Sequence, residues 1–250
     1  MANNERAFQL NVEQRDALRL EAQSLSPEDW EKFKQLAAEC SAAMLSVYGE
    51  YIEDTLTSEE MAEKFVVMTP ETYSNFWKNW DDSKIQIISS SNEGYFRYSK
   101  NLGDFVGGYV PDVWSHVDKG CRERLIAERG DEVSARDYVQ NTTLRYCLVH
   151  EMIHVYQDQD IPLWLMECAA HYGARKVMKV QDWDLFDYDK HRKMANFYLH
   201  LVNKYGNDVH RLCFGQEVGE TKKQQILAEF TDSFREKIMP GYGTRTRNDK

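Results

Sequence analysis

The chain has 250 residues with 31 basic and 41 acidic side chains, a net charge of −10. That length suffices for one large domain or two small ones with a sizeable core, and the acidic balance argues against a nucleic-acid or anionic-membrane surface as the main partner. No apolar run is long enough to span a bilayer, and the first residues lack the basic start and apolar centre of a secretory signal, so a cytoplasmic location is expected.

Taken in order, residues up to about 51 read as helical, with a break at 24–27. Ser26 as cap and Pro27 at the first helical position mark a helix start. Trp30, Phe33, Leu36, Ala37, Cys40, Met44 and Val47 then recur at helical spacing and predict one buried face. An acidic segment follows, and short apolar runs at 65–68, 85–88, 95–98 and 105–110 predict four strands, with a short aromatic-rich helix at 71–80 between the first two. Residues 118–131 are strongly charged and predict a solvated loop or short helix.

Ser134 and Asp137 predict the start of a long helix over 135–156, buried through Leu144, Cys147, Leu148, Ile153 and Val155. A turn at 157–161 leads to a second helix opening at Pro162. Further helices are expected from about 189 to 204, ending at Tyr205-Gly206, and over 221–238, before a basic tail. The five cysteines, Cys40, Cys121, Cys147, Cys168 and Cys213, are odd in number with no CxxC spacing and read as reduced thiols. Cys147 and Cys168 lie near the motif described next, and they read as small apolar fillers in preference to soft metal ligands.

The chemistry is concentrated in His150-Glu151-Met152-Ile153-His154. Histidines four apart on a helix share a face, so both imidazoles can reach one metal ion. Glu151 projects toward the same pocket and can take a proton from an activated water without being a ligand. A catalytic zinc needs a third protein ligand, for which Glu167 is the candidate.

At these residues the chain resembles the gluzincin clan of zinc metallopeptidases, where HExxH is completed by a glutamate on the next helix, often within a W-L-x-E-G-x-A segment. Trp164, Leu165, Glu167 and Ala170 match that segment, and Cys168 stands where glycine is usual. The resemblance implies one Zn2+ ion held by His150, His154 and Glu167, with Glu151 as general base. His171 departs from it, standing where some members carry a carboxylate that orients a zinc-bound histidine.

The fold implied is α+β and zincin-like: a small mixed sheet, an active-site helix and a helical lower half, with added N-terminal helices. Residues 1–58 are then an N-terminal helical elaboration, 59–214 the catalytic domain, 215–240 a C-terminal helix and 241–250 a disordered tail. In that clan an extended substrate lies along an exposed strand edge. The glycine-rich stretch 103–110 is the candidate for that edge or its neighbour, and a bulged inner strand without substrate contact is the alternative. Residues 196–206 resemble a late F-x-x-Y-L-x-x-x-Y-G segment of such enzymes, and Tyr188 and His191 are candidates to hydrogen-bond the developing oxyanion.

The activity implied is zinc-dependent hydrolysis of a peptide or protein substrate. No G-x-M-E-N-type motif marks an aminopeptidase, so an endopeptidase is expected. The alternatives are a catalytically silent zincin-fold binding protein, against which the intact Glu151 argues, and a zinc hydrolase of a non-peptide amide or ester.

Overall fold

The computed structural model describes residues 17, 25–69, 71–72, 96–99, 105–108, 113–158, 160–178 and 189–230. The expected strand at 85–88, most of the helix at 71–80, Tyr188, residues 231–238 of the last expected helix and the tail 241–250 lie outside the described residues.

Helix α1 (Pro27–Tyr48) begins as the sequence predicts: Ser26 Oγ accepts the Asp29 N–H at 3.2 Å, and Pro27 occupies a position whose N–H has no helical partner anyway. Its buried face is Phe33, Ala37, Cys40, Ser41, Met44 and Tyr48, while Trp30, Leu36 and Val47 are only partly buried at its margins. Helix α2 (Ser58–Glu63) opens on a capping box between Thr57 and Glu60. Strands β1 (Phe65–Val67), β2 (Phe96–Ser99) and β3 (Phe105–Gly108) follow.

Helix α3 (Lys119–Arg129) is capped by the Asp118 carboxylate, which accepts the Gly120 and Cys121 N–H groups at 2.8 and 3.2 Å. Helices α4 (Glu132–Tyr156), α5 (Leu163–Met178), α6 (Asp189–Tyr205), α7 (Asp208–Cys213) and α8 (Glu220–Ala228) complete the described chain. Helix α6 stops where expected, because Gly206 adopts a left-handed conformation (φ 66°) and returns its N–H to the Val202 carbonyl at 2.8 Å.

The expected α+β class is corrected by this inventory: the protein is mostly helical. The physical reason is length. The strands are three or four residues each, too short to form the layer on which an α+β fold is built. They are arranged in the order β1-β3-β2, β3 parallel to β1 with Phe65 opposite Val106, and antiparallel to β2 with Phe96 opposite Gly108. The glycine-rich strand β3 is therefore paired on both sides and is no open edge; among the described residues β1 and β2 are the outer strands, and β2 runs beside α4.

One apolar core binds the helices together. Phe33, Met44 and Tyr48 of α1 meet Leu148, Val149, Met152 and Ile153 of α4, Trp164, Leu165 and Met166 of α5, Leu201 of α6 and Ile226 of α8 in a continuous cluster. A smaller cluster of Trp114, Val117, Cys121, Leu125, Ala135 and Val139 packs α3 against the first half of α4. All five cysteines are free thiols. Among the described residues no helix is long and apolar enough to cross a membrane.

Two features of this core carry testable consequences. Helices α4 and α5 approach closely at Gly173, where an added Cβ would lie 2.4 Å from Ile153 Cδ1 and 3.3 Å from the Tyr48 ring. Ile153 is 1% exposed and has no solvent to move into. Alanine ordinarily improves a helix over glycine by about 1 kcal/mol, but overpacking a closed core costs about 1–3 kcal/mol. Gly173→Ala is expected to lower stability in urea unfolding despite its better helix propensity; an increase would contradict the close approach.

The second feature is His210, buried at 3% exposure against the rings of Tyr48, Tyr51, Tyr172 and Tyr198, with Nδ1 3.1 Å from the Tyr198 hydroxyl. Burial pulls its pKa down to about 4, the Lys176 charge acts the same way, and Glu50 opposes both. The folded protein thus holds His210 neutral where the unfolded chain titrates near its ordinary value of about 6.5. Stability from this group is complete above about pH 6.5 and falls as pH drops, because only the unfolded chain takes up the proton. Between pH 7.5 and 5 the loss is about 2 kcal/mol. His210→Phe is expected to remove that part of the pH dependence of the urea midpoint, and an unchanged profile would contradict the neutral burial.

Candidate metal centre

Helix α4 raises His150 and His154 on one face, and their Nε2 atoms lie 3.1 Å apart. Helix α5 brings Glu167 against that pair. Its two carboxylate oxygens divide between the rings, Oε2 3.5 Å from His150 Nε2 and Oε1 3.6 Å from His154 Nε2. The turn at 157–162 is short enough to fold α5 back on α4, and Asp158 N–H is tied to the Cys213 carbonyl at 2.9 Å. His150, His154 and Glu167 are thereby brought together as the sequence predicts.

Helix α4 itself starts earlier than expected. The cap is Asp131, whose carboxylate accepts the Ser134 N–H at 2.8 Å, so Ser134 lies inside the first turn. Thr142 and Thr143 turn their hydroxyls onto the Tyr138 and Val139 carbonyls at 2.7 and 2.8 Å, which lets polar side chains sit in a buried helix. Of the expected apolar face, Leu148 and Ile153 are buried, while Leu144, Cys147 and Val155 are partly so.

Gln157, which sequence reasoning missed, fixes the ring of His154. Its amide nitrogen donates to the Met166 carbonyl at 2.9 Å, leaving Oε1 to accept the Nδ1–H of His154 at 2.6 Å. The proton is then on Nδ1, and the Nε2 lone pair faces His150 and Glu167. Because Met166 precedes Glu167, the same side chain links the two helices that carry the donors. A polar residue three positions after the second histidine was the available signal, but its partner across the turn was not readable from the sequence.

Glu151 has its Oε1 4.0 Å from His150 Nε2 and is only slightly exposed. It therefore borders the three-donor cluster without standing between its members. His191, an expected oxyanion partner, stacks on His171 with ring centroids 4.1 Å apart, and His171 in turn lies 4.4 Å from His150 by ring centroids. His191 is thus one imidazole removed from His150, and Tyr188 lies outside the described residues. His171 Nδ1 is hydrogen-bonded to the Tyr146 hydroxyl at 2.8 Å. His150, Glu167 and His171 can each offer a donor atom within 4.8 Å of the others.

The electrostatics favour an ionised Glu167. Burial alone would raise the pKa of Glu167, but the His154 and His150 rings outweigh it and hold the carboxyl well below the usual range. Burial, reinforced by His150 and His191, pushes His171 well below the ordinary histidine value. Burial also pushes the Cys147 thiol up to about 12 and Cys168 well above its ordinary value, so both are protonated at neutral pH and neither is poised as a thiolate ligand.

This donor set fits a zinc ion. Bonds of about 2.0–2.1 Å in a tetrahedron put donor atoms roughly 3.3 Å apart, and the observed separations are 3.1, 3.5 and 3.6 Å. Two imidazole nitrogens and one carboxylate form a set used by catalytic zinc sites. No family model, curated protein or solved structure matches this chain.

Proposed function

We propose that the protein is a zinc-dependent hydrolase of peptide bonds, of the gluzincin type of endopeptidase, with His150, His154 and Glu167 as the metal ligands. The observation that carries the reading is the meeting of these three donors across two helices within 3.6 Å, with the Glu151 carboxylate beside them. Zinc bound there supplies a Lewis acid that polarises a carbonyl and lowers the pKa of water to near neutrality.

The chain's own groups do the rest. Gln157 holds His154 in the tautomer that turns Nε2 to the donor cluster. Glu151, close to His150 but not between the donors, takes the proton of the attacking water and returns it to the leaving amine. The core around Leu148, Met152, Ile153 and Leu165 keeps the helices rigid, which matters because a ligand displaced by half an ångström loses productive geometry.

The test is a peptide-library cleavage screen on zinc-loaded protein. Cleavage that disappears on chelation and returns with added zinc is expected. Stoichiometric zinc without cleavage of any peptide would instead support the reading of a silent, metal-holding binding protein.

A further inference from the structure

We propose that His171 is a fourth protein donor, so that the resting centre consists of His150, His154, Glu167 and His171. This rests on the metal reading above and deepens it. Glu167 and His171 are themselves four residues apart on α5, so carboxylate and imidazole rise on one face just as His150 and His154 do on α4. Glu167 meets both histidines of α4, and the His171 ring lies 4.4 Å from that of His150 by centroids. Donor atoms of His150, Glu167 and His171 lie within 4.8 Å of each other, and His171 is 6% exposed.

The surroundings of His171 are those of an oriented ligand. The Tyr146 hydroxyl sits 2.8 Å from its Nδ1, as the Gln157 carbonyl sits 2.6 Å from Nδ1 of His154. The Tyr146 hydroxyl can accept from Nδ1–H, and in that tautomer the Nε2 lone pair of His171 is available to a metal. His191, stacked on the ring at 4.1 Å, limits its rotation. Four protein donors fill a tetrahedral zinc and leave no position for water. Hydrolysis at this centre then requires His171 to withdraw.

X-ray absorption at the zinc edge of zinc-loaded full-length protein counts imidazole ligands and needs no variant. Three imidazoles are expected in the wild type and two in His171→Ala, with a changed visible spectrum for the cobalt(II)-loaded variant. Zinc affinity in chelator competition should fall by more than the roughly 10–100-fold that loss of an outer hydrogen-bonding partner costs. Two imidazoles in the wild type, with the same cobalt spectrum in His171→Ala, would overturn the fourth donor and leave the three-ligand site standing. A wild type that binds neither metal would overturn both.

Discussion

Replacing Glu167 by alanine is expected to abolish zinc retention and, with it, the gain in stability that zinc confers on the wild type. Glu167 is the charged member of its donor set, and its two oxygens face one histidine each at 3.5 and 3.6 Å. Without it, only imidazole donors remain, with no carboxylate to balance the charge of the ion. A ligand that binds only the folded state at 100 times its Kd stabilises by about 2.7 kcal/mol. For a domain of this size that is a rise in Tm of roughly 5–11 °C. Wild type should show the rise and Glu167→Ala none. Equal rises in both would place the zinc somewhere other than between α4 and α5.

Glu151→Gln is expected to separate metal binding from turnover. The amide keeps the shape of the side chain and cannot accept a proton from water. Loss of a general base costs about 10²–10⁴ in rate, which corresponds to about 2.7–5.4 kcal/mol of barrier. The variant should hold as much zinc as the wild type while losing activity by that factor, whereas His154→Ala should lose both. Full activity in Glu151→Gln would remove Glu151 from the role assigned to it.

The pairing of His150 and His154 was legible in the sequence because helical spacing is a local property. His150 and His154 share a face whatever surrounds α4, whereas Glu167 was singled out by the likeness of Trp164, Leu165 and Glu167 to the W-L-x-E segment. The inner face of α1 was legible for the same reason, at Phe33, Ala37, Cys40 and Met44. The start of α4 was misread because Asp131 and Ser134 both carry capping chemistry, and the Asp131 carboxylate, an acceptor for the Ser134 N–H, wins the position.

Fold class was misread because short apolar runs do not reveal how far a strand extends, and three- or four-residue strands leave helices dominant. The contacts of Gln157 and Tyr146 were not legible at all, and His171 stood out only as a departure from the family pattern. Each depends on which ring meets which oxygen once α4 and α5 have packed, and that crossing is set by contacts such as Gly173 on Ile153. Four of the chain's seven histidines converge around this crossing, His150, His154, His171 and His191, although only the first two carry a motif.

The central claim is that the face shared by α4 and α5 holds a metal, and elemental analysis of the purified wild-type protein tests it most directly. About one zinc per chain, removed by chelation and restored by added zinc, is the result the structure predicts. No metal bound, even after zinc is supplied, would reduce His150, His154 and Glu167 to a buried polar cluster of a mostly helical protein and contradict the account.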